Sequence, residues 1–109
     1  LKMDQETFSE TFRNSPIKRA KRIGLQRNAC VALGNSKDPQ AISALSEALY
    51  QSEVLVRIHA AWALGQIGGK KALTSLKKAL ANESVKDVLV EIDLAIENCI
   101  LDMRLDVTS

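Results

Sequence analysis

Aromatic residues are scarce in this sequence, at 4% of its 109 residues, and cysteine and proline occur only twice each. A core built on large rings is therefore excluded, and we expect an aliphatic, alanine-rich core of closely packed helices. Apolar runs of the about 20 residues that span a bilayer are absent, as is any signal-peptide pattern. We therefore expect a cytoplasmic protein that makes no membrane contact.

Acidic residues are also missing from one long stretch. Between Arg13 and Lys37 there are seven basic residues and no Asp or Glu. Between Glu83 and Asp106, by contrast, seven acidic residues stand against two basic ones. The small net charge of +2 hides this asymmetry. One end of the chain is a candidate anion-binding surface, and the other end should repel anions.

An internal repeat organises the remainder of the chain. The tripeptide Ala-Leu-Gly occurs at residues 32–34 and again at residues 63–65, 31 residues apart. At the same offset the apolar residues of two successive helical patterns coincide. A fixed period that carries two helices is typical of an α-solenoid, in which each helix pair buries its apolar face on the next pair. The predicted fold is all-α, an α-α superhelix of short HEAT-like helix pairs.

Turn and capping residues predict where the helices begin and end. Ser52 should cap the start of one helix, and Gly68-Gly69 should end it. Asp38-Pro39 should begin the preceding helix. Lys21–Gly34 should form the second helix of a degenerate first repeat, and because Gly24 interrupts it, a start near Leu25 is the alternative. The expected domains are a helical lead-in and basic linker over residues 1–24 and a repeat domain over 25–109. The repeat domain holds about two and a half repeats and ends in an acidic capping helix. The other predicted helices are Asp4–Phe12, Lys70–Ala81 and a long last helix capped by Ser84.

Chemically distinctive side chains are few, and most have a structural explanation. Cys30 and Cys99 lie on apolar helix stripes, far apart in sequence, so we interpret them as buried thiols and predict no metal site. His59 has no catalytic partner nearby and is expected on a helix surface or between helices. Trp62 and Tyr50 favour packing or groove-edge roles over stacking on a base. Four lysines form a solvated face that could extend the basic surface: Lys70, Lys71, Lys77 and Lys78.

Two strings resemble known families. The string VRIHAAWALGQIG, residues 56–68, resembles the second helix of HEAT-like repeats of the phycobilin-lyase type. The string SPIKRAKRIGLQRN, Ser15 to Asn28, resembles the segment that joins the iron–sulfur domain of epoxyqueuosine reductase to its C-terminal HEAT-like domain. This family completes queuosine on tRNA with cobalamin and two [4Fe–4S] clusters. The resemblance implies that those cofactors belong to upstream domains and that this chain holds neither cofactor nor catalytic residue. Because it begins at Leu1 without methionine, we expect a piece of a longer protein.

The basic string also supplies the candidate binding residues. Arginine and lysine can follow a phosphate backbone, and serine and asparagine can donate to phosphate or ribose oxygens. The resemblance to epoxyqueuosine reductase implies the anticodon arm of a tRNA as the partner of this basic segment. A scaffold that holds a protein partner in the repeat groove is the alternative, and a bilin-lyase relative is a weaker one. The candidate tRNA-binding residues are Ser15, Lys18, Arg19, Lys21, Arg22, Arg27 and Asn28.

Overall fold

The computed structural model describes residues 18–108, with side chains up to residue 104. Throughout this range every regular element is helical. The predicted helix Asp4–Phe12 and the candidate residue Ser15 lie outside the described residues. The elements are α1 (Arg19–Ser36), a 3-10 turn (Pro39–Ala41), α2 (Ile42–Ala48), α3 (Val54–Ile67), α4 (Gly69–Asn82) and α5 (Lys86–Thr108).

The helices form two rows. Helices α1, α3 and α5 pack side by side, with α3 in the middle. Helices α2 and α4 form the second row: they contact each other, α2 packs against α3, and α4 packs mainly against α5. This alternation of chain-adjacent helices between two rows is the arrangement of an α-solenoid. The predicted fold is confirmed.

Small residues line the contacts between neighbouring helices of the first row. A Cβ atom added to Gly34 of α1 would lie 2.9 Å from the Cα atom of Ala63 in α3. One added to Gly65 of α3 would lie 2.9 Å from the Cα atom of Ala95 in α5. The glycine of each Ala-Leu-Gly tripeptide is therefore the point where the next helix backbone comes closest. The core around these contacts is aliphatic and alanine-rich, as predicted.

Several predicted helix ends are confirmed. The carboxylate of Asp38 accepts a hydrogen bond of 2.9 Å from the backbone amide of Gln40, which caps the 3-10 turn before α2. Helix α3 ends at Gly68, which has φ of 69° and donates its N–H to the carbonyl of Leu64 at 2.9 Å. Only glycine adopts such a backbone without strain. The chain can thus reverse directly into α4.

Other predicted ends are wrong. Helix α1 covers Arg19–Ser36, two residues longer at each end than the predicted Lys21–Gly34, and it runs through Gly24 instead of beginning near Leu25. The N-cap of α3 is Glu53 rather than Ser52. Before α5 the carboxylate of Glu83, not the hydroxyl of Ser84, accepts hydrogen bonds from the next two backbone amides, at 3.1 and 3.0 Å. The domain division after residue 24 remains a prediction, and that residue lies inside α1.

An ion pair joins successive repeats. The guanidinium of Arg57 in α3 donates to both carboxylate oxygens of Glu83, at 2.9 and 3.3 Å, and Nη1 donates to the carbonyls of Gln51 and Ser52. The Glu83 side chain is only 7% exposed. Burial alone would raise the pKa of this carboxyl, but the amide of Val85 and the charge of Arg57 outweigh it and lower the pKa. The pair holds two inter-helix loops together.

Among the described residues, no helix is both long enough and apolar enough to cross a membrane.

The close contact of α3 and α5 predicts a large cost for one methyl group. Gly65→Ala should force the two helices apart, because its Cβ would lie 2.9 Å from both Cα and Cβ of Ala95. We expect a loss of about 1–3 kcal/mol in the free energy of unfolding, measured in urea. The control is Gly24→Ala in α1, where a Cβ meets nothing within 4 Å. That change should stabilise by about 0.5–1 kcal/mol. Equal effects of the two substitutions would contradict this account of the contact.

The ion pair predicts a pH-dependent contribution to stability. Glu83→Gln should lower the free energy of unfolding by about 2 kcal/mol at pH 7, because it removes charge-assisted hydrogen bonds. The pKa of Glu83 in the folded chain lies below the ordinary value of 4.5. Its contribution is therefore fully present above pH 4.5 and is lost as the pH falls through the lowered pKa. The difference between the two proteins, measured by urea unfolding, should shrink on acidification. A difference that is constant between pH 7 and pH 3 would contradict the assignment.

Candidate nucleic-acid interface

The N-terminal turn of α1 concentrates positive charge. Lys18 is the N-cap residue, Arg19, Lys21 and Arg22 follow within the first four helical positions, and that turn contains no acidic residue. Helix N-termini carry a partial positive charge, so cations there are unfavourable for the helix. An anion bound at this end would relieve both the repulsion among the side chains and the repulsion from the helix dipole.

Three candidate residues share one exposed face of α1. Lys18, Lys21 and Asn28 are all exposed. At about 100° of rotation per residue, their spacing of three and then seven residues places them along one side of the helix. Leu25 lies between them and is 39% exposed. This face, which we call the α1 face (Lys18, Lys21, Leu25 and Asn28), presents two cations, an amide and a short apolar surface.

Arg19 has a partner within the protein. Its guanidinium forms an ion pair with the carboxylate of Glu53, at 2.6 Å between Nη2 and Oε1. The Arg19 side chain is nevertheless 71% exposed, whereas Glu53 is 21% exposed. Exposed ion pairs contribute little to stability. An incoming phosphate could therefore exchange with Glu53 at small cost, although it must first compete with that carboxylate.

Of the remaining arginines, Arg27 lies apart from the α1 face, and Arg22 lies at its edge, four residues after Lys18. Arg22 and Arg27 are both half-buried. Arg27 follows Lys21 by six residues, which turns it by about 120° around the helix axis. Its Nε donates a long hydrogen bond of 3.4 Å to the side-chain oxygen of Asn28. The structure thus brings together Lys18, Lys21 and Asn28, with Arg22 one turn after Lys18 at the edge of this face, while Arg19 and Arg27 lie on other sides of the same helix. As a binding set, these residues remain a prediction.

A second cationic feature lies in the other row. The outer sides of α2 and α4 enclose an open groove of about 1070 Å³, and Lys70, Lys71 and Lys78 line its α4 wall. Tyr50, at the end of α2, borders the groove and is 57% exposed. The sequence offered one signal for this groove, lysines repeated at a spacing of seven residues on α4, but it could not place Tyr50 beside them.

The cysteines and the histidine serve the fold. Burial raises the pKa of the Cys30 thiol to about 12, and burial together with the charge of Asp102 raises that of Cys99. Both thiols are buried, as predicted, and both are protonated at neutral pH. His59 lies half-buried on α3 with Nδ1 2.8 Å from the carbonyl oxygen of Leu55. Within residues 18–104 no group of three or more His, Cys, Asp or Glu side chains could hold a metal ion.

The proteins to which this chain is similar include epoxyqueuosine reductases. The chain is 33% identical over 98 residues to an epoxyqueuosine reductase of Bacillus subtilis, a match that covers 89% of this chain and 25% of the enzyme. It is 35% identical over 98 residues to an uncharacterised protein of Geobacillus stearothermophilus, covering 45% of that protein. The chain therefore spans less than half the length of these relatives. The matched part of the reductase is its C-terminal, non-catalytic region.

A solved structure gives the same indication. The fold superposes with a TM-score of 0.68 on a crystal structure of epoxyqueuosine reductase with an epoxyqueuosine-modified stem loop of tRNA-Tyr, at 32% identity. The match covers 89% of this chain and 26% of that one. Residues 17–94 match the HEAT repeats family. Because that match includes most of the chain and the helices form the two rows described above, the chain belongs to the HEAT-repeat family.

Proposed function

We propose that this chain is the C-terminal HEAT-repeat domain of an epoxyqueuosine reductase-like protein and binds the anticodon arm of tRNA through the N-terminal part of α1. The observation that carries the proposal is the cluster of cations on the first turn of a helix without an acidic residue in that turn. Such a cluster costs stability unless an anion is bound. The related reductase whose structure includes a tRNA stem loop supports RNA as that anion.

Binding would depend on phosphate contacts. Lys18 and Lys21 act as point charges toward successive phosphates, and Asn28 donates from its side-chain amide to a phosphate or ribose oxygen. Arg19 joins by exchanging Glu53 for a phosphate, which its guanidinium can grip with two hydrogen bonds. These contacts position the RNA and do not read its sequence. The domain therefore orients the arm while another part of the longer protein acts on the base.

The reductive chemistry would belong to upstream domains. In the proposed protein those domains would hold cobalamin and two [4Fe–4S] clusters, which would carry electrons from a reductant to the epoxide. The thiols of Cys30 and Cys99 are buried in the repeat core and contribute to its packing. The proposed role of this chain is thus binding and orientation, in the cytoplasm where tRNA is modified.

One observation favours the protein-scaffold alternative. Val90, Leu94 and Leu101 are each about half exposed, at 51%, 50% and 55%. Their spacing of four and seven residues places them on one side of α5, opposite the buried stripe of that helix. This apolar side lies among the acidic residues of α5 and suits a protein partner better than RNA. The bilin-lyase alternative stays a prediction.

The α1 face predicts RNA binding that depends steeply on salt. If basic side chains contact three or four phosphates of a tRNA anticodon stem-loop, the plot of log K against log salt concentration should have a slope of about −2 to −3. Lys21→Glu should weaken binding about fivefold to tenfold at low salt and make the slope shallower by about 1. Fluorescence anisotropy of a labelled stem-loop over a salt series measures both quantities.

Two controls separate a direct contact from net charge and from unfolding. Lys86→Glu makes the same charge change at the start of α5, where the proposal places no RNA, and should alter affinity by less than about twofold. Lys21→Glu should also leave the chain as stable as before, or up to about 1 kcal/mol more stable, because a carboxylate suits a helix N-terminus. Equal losses of affinity in the two variants would count against the α1 face. Binding to a protein partner but not to RNA would support the scaffold alternative.

A further inference from the structure

The groove between α2 and α4 has one strongly positive wall. Lys70, Lys71 and Lys78 line it from α4, and all three are exposed. Among the described residues none of these lysines forms an ion pair, whereas Arg19 and Arg57 do. Of the described residues that line the groove, Glu47 on the α2 side is the only acidic one. The wall therefore carries charge that the protein itself leaves uncompensated.

The floor of the groove is neutral and internally bonded. The hydroxyl oxygens of Ser46 in α2 and Ser75 in α4 lie 2.7 Å apart, and Ser46 Oγ also lies 2.6 Å from the carbonyl oxygen of Ile42. This hydrogen bond links the two walls at the floor of the groove. Ile42 adds an apolar patch beside the hydroxyls. Flat groups of low charge can rest on such a floor.

An aromatic ring stands at one end of the groove. Tyr50 is one of the few aromatic residues of the chain, and it is 57% exposed. It follows the last turn of α2 and, like Lys78 across from it, borders the groove. Cationic side chains beside an exposed ring are the combination by which proteins hold single-stranded nucleic acids, with phosphates on the charges and a base on the ring.

We propose that this groove binds a single-stranded segment of RNA, with phosphates along the lysines of α4 and a base stacked on Tyr50. The proposal rests on the proposed function, since it supplies a second contact for the same tRNA. Lys71 and Lys78 lie two helical turns apart, about 10.5 Å along the axis, so they meet different phosphates of one strand. An acidic peptide would form ion pairs with the lysines but would not use the aromatic ring of Tyr50.

Two adjacent lysines allow a matched test. Lys77 and Lys78 are both exposed on α4, but only Lys78 lines the groove. Lys78→Glu should weaken binding of the labelled anticodon stem-loop by about fivefold or more at low salt. Lys77→Glu, with the same charge change one residue away, should weaken it by less than about twofold. Tyr50→Ala leaves the charge unchanged and should also weaken binding about fivefold or more, because stacking of a base is lost.

The outcomes separate the two interfaces. The groove proposal is overturned if Lys78→Glu and Lys77→Glu weaken RNA binding equally, or if Tyr50→Ala binds RNA like the unsubstituted chain. In that case a loss of RNA affinity in Lys21→Glu would still support the α1 face. If the groove variants lose RNA and Lys21→Glu does not, the groove proposal stands and the α1 face is overturned. Failure of the unsubstituted chain to bind RNA overturns both. Binding of polyglutamate that Lys78→Glu abolishes, with RNA binding unchanged, would assign the groove to an acidic peptide. Thermal unfolding monitored by circular dichroism verifies that each variant is folded.

Discussion

The close approach of α1, α3 and α5 is the constraint on which the rest of the structure depends. At Gly34 and Gly65 the neighbouring helix backbone leaves no room for a Cβ atom. Side-by-side packing this tight requires small residues at the contacts, and the ring of Trp62 fills the space that a side chain at Gly34 would need. The remaining helices, α2 and α4, then cover the second side of α3 and α5. A thin stack of helices results, with its charges held at fixed positions on the surface.

This stacking also separates the charges of the chain. The first helix of the row, α1, carries four basic residues and no acidic one, the last helix, α5, carries six acidic residues against two basic ones, and α3 lies between them. An anionic ligand is therefore attracted to one end and repelled from the other. In the longer protein that we propose, this gradient would align an RNA arm relative to the domains that carry the reaction. The lysines of α4 add a second positive surface in the other row of helices.

The repeat and the glycine end of α3 could be predicted from the sequence because both are local patterns. The cap of α5 could not, since Glu83 is held by Arg57, which comes from the preceding repeat. Gly24 suggests a later start of α1, because glycine lowers the stability of a helix by about 1 kcal/mol. Packing of α1 on α3 outweighs this cost, and the sequence alone does not show that packing. Likewise, the pairing of Arg19 with Glu53 and the position of Tyr50 beside the lysines depend on tertiary contacts. Charge along the chain indicated an RNA-binding segment but not which side of the helix it uses.

The most direct test of the account is an amide-resolved NMR titration of the chain with a tRNA anticodon stem-loop at low salt. We expect saturable shifts of the backbone amides of residues 18–28, since the proposed phosphate contacts lie at the start of α1. The amides of α5 should stay unchanged, because the acidic helix repels RNA. Shifts concentrated in α5, or no saturable shift in α1, would contradict the claim that the basic end of this HEAT-repeat stack binds tRNA.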